Sequence, residues 1–182
     1  KGGGGEEAAG ATASAGDAAI RLVPLASGCA ERADVETRFL GSLGDANVDD
    51  LDEITAVTRI QNPALWECYA AKKHAVLARA EAEGVKRERR RLYERTDMFH
   101  GTDGGTVEKI VTMGFNRSFA GKNAVVYGKG VYFATTSKYS NNYAEADRVT
   151  GCKLMFVCSV LVGEFCRGRN GQLVPDERDP ST

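Results

Sequence analysis

Histidine, paired cysteine, long apolar runs and net charge are all scarce in this chain. Among its 182 residues there are two histidines, His74 and His100, and five cysteines with no Cys-x-x-Cys pair. A zinc site or a disulfide framework needs closely spaced, paired ligands, so neither a metal nor a disulfide scaffold is expected. The thiols read instead as small buried groups of a reducing compartment. The longest largely apolar run, Leu154 to Val162, falls well short of the ~20 residues that cross a bilayer, and no membrane partner is expected. With 24 basic against 25 acidic side chains, the broad basic footprint of a protein that grips nucleic acid is missing. No initiator Met, secretory leader or Arg/Ser-rich transit segment opens the chain, which reads as a piece of something longer.

Glycine, by contrast, is abundant and unevenly placed: six of the 21 lie in the first 16 residues and eleven between 101 and 171. Residues 1–20 are mostly Gly, Ala, Ser, Thr and acidic groups and read as a flexible linker. Residues 21–54 carry scattered apolar side chains (Leu22, Val23, Leu25, Phe39, Leu40, Leu43) among acidic turns and read as a weakly ordered extension. Charge divides too: residues 1–60 hold 5 basic and 11 acidic groups, residues 61–182 hold 19 and 14.

Asn62-Pro63 marks a helix start, a capping side chain followed by a proline whose missing N–H costs nothing there. Leu65, Tyr69, Val76 and Ala80 carry that helix to about Ala82. Lys86 to Arg91, with five basic residues, reads as a solvated face or turn because Glu81, Glu83, Glu88 and Glu94 interleave with it. Met98-Phe99 predicts a short strand ending at His100-Gly101-Thr102, and Thr106 to Met113 a helix stopped by Gly114. Gly130 to Ala134 predicts a strand, and Lys153 to Phe165 a central strand covered on both faces. The pattern is α+β.

Two phosphate signatures fail. Gly121-Lys122-Asn123 lacks both the upstream glycine and the Ser/Thr of a P-loop, and Gly128-Lys129-Gly130 precedes a strand where a dinucleotide fingerprint would follow one. No Gly-x-Ser-x-Gly elbow supports a hydrolase. What remains suits a flat, polar, heteroaromatic ligand. Gly101 offers an unobstructed main-chain N–H and C=O after a strand, the pair that holds a primary carboxamide. Tyr132, Tyr139 and Tyr143 supply faces for stacking, and Ser137 and Ser140 supply hydroxyls.

The stretches Arg59-Ile60-Gln61-Asn62-Pro63-Ala64-Leu65-Trp66, Phe99-His100-Gly101-Thr102, Gly114-Phe115-Asn116-Arg117-Ser118, Ala120-Gly121-Lys122-Asn123-Ala124 and Tyr127 to Ala134 are five linked motifs. In order and spacing they resemble the catalytic domain of poly(ADP-ribose) polymerase-type (PARP, diphtheria-toxin-like) ADP-ribosyltransferases, most of all the macrodomain-associated, mono-ADP-ribosylating branch. The resemblance implies an α+β fold of mixed, mainly antiparallel sheets with flanking helices. It implies NAD+ as substrate, no metal, and transfer of ADP-ribose to acceptor proteins, the chain itself among the candidates. It implies an intracellular place, nuclear or cytoplasmic, and no nucleic acid bound through this domain. By position it makes His100 and Tyr132 the first two members of the family's His-Tyr-Glu signature. His100 would hold the adenosine-side ribose, Gly101 the nicotinamide amide with Ser140 completing the grip, and Tyr143 would stack on the ring. Thr102, Asn116 and Tyr127 join the NAD+ contacts, the last two bounding a donor loop. The third signature member belongs to a strand after the Phe165 loop. The chain ends at Thr182 before such a strand, so residues 55–182 read as this domain without its last strands. A catalytically inactive NAD+ or ADP-ribose binder, and an RNA 2′-phosphotransferase-like enzyme, are the alternative readings.

Overall fold

A computed structural model describes residues 19–44, 53–119 and 126–174. Residues 1–18 of the linker expected over residues 1–20, and the Ala120–Ala124 motif, lie outside the described residues. The described elements run β1 (Arg21–Pro24), α1 (Ala30–Leu43), β2 (Thr58–Gln61), α2 (Pro63–Ala82), α3 (Arg87–Arg90), a 3-10 turn (Arg91–Tyr93), β3 (Glu94–Thr102), α4 (Gly104–Met113), a second 3-10 turn (Arg117–Phe119), α5 (Ser137–Asn141) and β4 (Leu154–Leu161). β1 pairs antiparallel with β2, and β3 antiparallel with β4. The fold is α+β.

Three expectations need correction. Residues 21–54 are not weakly ordered throughout, because Arg21–Pro24 pairs with Thr58–Gln61 and Ala30–Leu43 is a 14-residue helix. Val35, Phe39 and Leu43 recur at four-residue spacing and turn one stripe inward, with Leu43 buried. Cys29 caps the helix, its Sγ accepting from Arg32 N, and Gly44 at φ 75° ends it. Gly130 to Ala134 is not a strand: one bridge, Phe99 with Ala134, is all it forms among the described residues. Nor is β4 a central strand. It pairs with β3 alone in a two-stranded sheet among the described residues, and Leu154 is exposed.

The cysteines correct a fourth. All five are free, but Cys68 and Cys166 are exposed and the other three half-buried. Burial pushes the Cys158 thiol up to about 12, which leaves it inert at neutral pH.

Helix α2 begins and ends where the cap and apolar spacing predict. Asn62 Oδ1 accepts from Leu65 N at 3.1 Å, while its Nδ2 donates to the carbonyls of Val111 and Thr112 at 2.9 and 3.2 Å. One buried amide therefore serves the start of α2 and the end of α4. At the other end of the sheet, Glu94 accepts from Lys73 Nζ at 2.6 Å and from Tyr69 Oη at 2.7 Å. The Lys73 bond, then the Tyr69 bond, holds the Glu94 carboxyl below its ordinary value, whereas burial and then Glu94 raise Tyr69. A carboxylate lowered on folding stabilises the native state above its unfolded value, and that contribution fades as pH falls through the lowered one. Glu94→Gln should therefore lower the melting temperature at pH 7 and converge on the parent as pH falls below the ordinary range of a glutamate carboxyl. A deficit that stayed constant from pH 7 to pH 3 would show that the charge is not what matters.

Candidate functional site

The site is built on the end of β3. Successive side chains of a strand face opposite sides, so Phe99 and the Cα of Gly101 look one way and His100 the other. Phe99 is fully buried, its ring edge-on to Phe39 of α1 at 6.4 Å between centroids. On that same face a Cβ at Gly101 would collide with the main-chain oxygen of Ser140 and come within 3.0 Å of Ala144 N. Glycine is required here by the close approach of α5 to the strand.

On the opposite face His100 stands across from Phe156 of β4. Its ring meets Phe115 at 5.0 Å and Phe133 at 5.6 Å, and Phe115 contacts both Phe133 and Phe156. His100 Nδ1 lies 2.8 Å from the carbonyl oxygen of Tyr132. A carbonyl can only accept, so Nδ1 carries the proton and Nε2 of the neutral ring is left as an acceptor. Nothing local in the sequence marks these three phenylalanines as neighbours. They come from β4 and two loops, and only the fold brings them to one histidine.

Between the two faces runs the open edge of β3. Phe99 exchanges both main-chain hydrogen bonds with Ala134, 2.7 and 2.9 Å. Main-chain groups two residues apart point to the same edge in an antiparallel pair. The N–H and C=O of Gly101 are thus directed away from β4, one step past the last bond to Ala134. Ser140 is buried where its main-chain oxygen approaches the Gly101 Cα, and its Oγ forms no hydrogen bond with another described residue. Tyr143, one helical turn on, is 41% exposed, its hydroxyl 3.3 Å from that of Tyr139.

The remaining candidates are placed less directly. Tyr132 reaches His100 through its carbonyl, while its phenol donates to Gly128 O at 2.8 Å and accepts from Tyr127 N at 3.0 Å, closing its own loop. Gly128, at φ 118° and with Leu173 and Gln172 carbonyls close by, suits only glycine. A cavity of about 280 Å³ opens here, lined by Tyr127, Gly128, Tyr132 and Leu173 among others. Asn116 follows Phe115, its Oδ1 accepting from Ser118 N in a local turn. Thr102 is buried at the strand end. Ser137, expected to offer its hydroxyl to a ligand, does not. It is wholly buried, donating to Phe39 O at 2.6 Å and bonded to Ser42 Oγ at 2.9 Å, so it ties α5 to α1.

Residues 31–172 match the model of the poly(ADP-ribose) polymerase catalytic domain. The chain is 42% identical over 129 residues to protein mono-ADP-ribosyltransferase PARP14 of Homo sapiens, covering 70% of this chain and 7% of that protein. It is 32% identical over 160 residues to protein mono-ADP-ribosyltransferase PARP10 of Mus musculus, covering 87% and 15%. It is 28% identical over 179 residues to protein mono-ADP-ribosyltransferase PARP11 of Homo sapiens, covering 88% and 49%. The chain thus spans less than half the length of these relatives. On the strength of a match running from α1 through β4 and beyond, it belongs to the poly(ADP-ribose) polymerase catalytic domain family.

Proposed function

We propose that this chain is the catalytic part of an enzyme that moves one ADP-ribose unit from NAD+ to a protein side chain. The observation that carries the reading is the open edge at Gly101. A primary carboxamide is donor and acceptor at once, and Gly101 presents a C=O for its N–H and an N–H for its oxygen, a hold that the Ser140 hydroxyl would complete. No apolar or charged side chain could offer that pair. The Tyr143 ring, 41% exposed, is the face proposed for stacking. Across the strand edge, His100 Nε2 is left to accept from a ribose hydroxyl.

Such a hold orients the dinucleotide while the bond between the ribose carbon and the nicotinamide nitrogen breaks. The bond's electron pair leaves with the ring and neutralises its positive charge, and the sugar passes through an oxocarbenium-like state. The acceptor side chain then bonds to the sugar carbon and loses its proton. Because the leaving group is already activated by its charge, the residues need mainly to position it. The relatives' names, all mono-ADP-ribosyltransferases among the three above, support transfer of single units over chains.

Incubation with NAD+ labelled in its adenylate half should label protein and release an equal amount of nicotinamide, with intact mass rising by isolated single increments. A ladder of repeated units would overturn single-unit transfer. Binding without release of nicotinamide would make the domain a binder only.

A further inference from the structure

A second cavity plays no part in that chemistry. It has a volume of about 510 Å³ and lies between α2 and the Arg87–Tyr93 segment. Glu94 lines it at one end of β3, six residues from His100, so it stands about 20 Å along the strand from the candidate site. Its size is that of small-molecule pockets, which run from about 300 to 1,000 Å³.

Its charge is not balanced. Three arginines, Arg87, Arg90 and Arg91, form one wall. Arg90 is paired with Glu81 at 3.1 Å, and the Glu94 carboxylate is taken up by Lys73 and Tyr69. Arg87 and Arg91 have no carboxylate partner among the described residues. They are four positions apart on consecutive turns, the spacing that brings two side chains to one face. The opposite wall, from α2, offers His74 and the apolar Leu77. Two unpaired guanidinium forks match a dianion with three oxygens, and a phosphomonoester carries about −1.5 to −2 at pH 7. A lone carboxylate would satisfy only one fork.

We propose that this cavity is a second anion site, which takes a phosphomonoester: Arg87 and Arg91 hold the phosphoryl oxygens and Leu77 receives the group that bears them. The site is independent of the NAD+ reading and is tested by binding alone. Calorimetry of the full chain with phenyl phosphate, and in a second arm with a short phosphoserine peptide, should show saturable binding in at least one arm. The tighter arm identifies the source as a free organic phosphate or a modified protein.

Arg87→Gln and Arg91→Gln should each weaken that binding about tenfold. Arg89→Gln removes the same charge from a residue that pairs with Glu164 at 3.7 Å and does not line the cavity, and should leave binding unchanged. His100→Ala should also bind phenyl phosphate normally. No saturable binding in either arm up to about 10 mM, equal loss in Arg89→Gln, or equal binding of the unphosphorylated peptide would overturn the proposal.

Discussion

Gly101→Ala is expected to lower the melting temperature by roughly 2–12 °C and to abolish measurable NAD+ binding. The added methyl would meet main chain, the Ser140 carbonyl and the Ala144 amide, not the yielding end of a side chain. Either α5 must lift from the strand or the strand must bend, and overpacking of this kind costs about 1–3 kcal/mol. Thermal unfolding by circular dichroism reads the first effect and calorimetry with NAD+ the second. An unchanged melting temperature would mean that α5 does not approach β3 as described. Because one substitution disturbs both fold and ligand, Ser140→Ala separates them. Its hydroxyl supports no other described residue, so stability should hold within about 0.5 kcal/mol while NAD+ affinity falls about tenfold. Unaltered affinity would remove Ser140 from the carboxamide grip.

His100→Ala should reduce kcat/KM for NAD+ by about 10²-fold or more, through loss of the Nε2 acceptor proposed for the ribose hydroxyl. The same change opens a gap among Phe115, Phe133 and Phe156 and leaves the Tyr132 carbonyl unpaired, so a stability loss of about 1–3 kcal/mol should accompany it. His100→Asn divides these effects. An asparagine amide can stand where Nδ1 stands and donate to Tyr132 O, but it has no atom at the place of Nε2. Stability should largely return and activity should not. Activity returning with His100→Asn would show that His100 matters only for holding Tyr132.

Features that depend on near neighbours were legible in the sequence, and those that depend on distant ones were not. The cap at Asn62, the stop at Gly114 and the extents of α2 and α4 follow from residues within a turn of one another. The strand expected at Gly130–Ala134 fails because the Tyr132 phenol turns back on Gly128, an arrangement that alternation of residue types does not encode. The stripe of Val35, Phe39 and Leu43 was present in the sequence, but acidic and polar neighbours hid it. Of the candidate site, Gly101 was legible as a main-chain donor and acceptor. That its missing side chain also makes room for α5 required the packing. The two serines of α5 look alike in the sequence, yet Ser140 is buried where its main chain meets Gly101 and Ser137 is buried against α1, a difference of one helical turn.

That turn has a mechanical meaning. Helix α5 has five residues, too short to stand alone. It is pinned on one side by Ser137 to Ser42 and Phe39 and rests on the other against Gly101. The N-terminal helix therefore acts as a bracket for Ser140 and Tyr143 from almost a hundred residues away in the chain. A displacement of α1 by a ligand or a neighbouring domain would tilt the platform proposed for the nicotinamide ring, without touching Gly101, Ser140 or Tyr143.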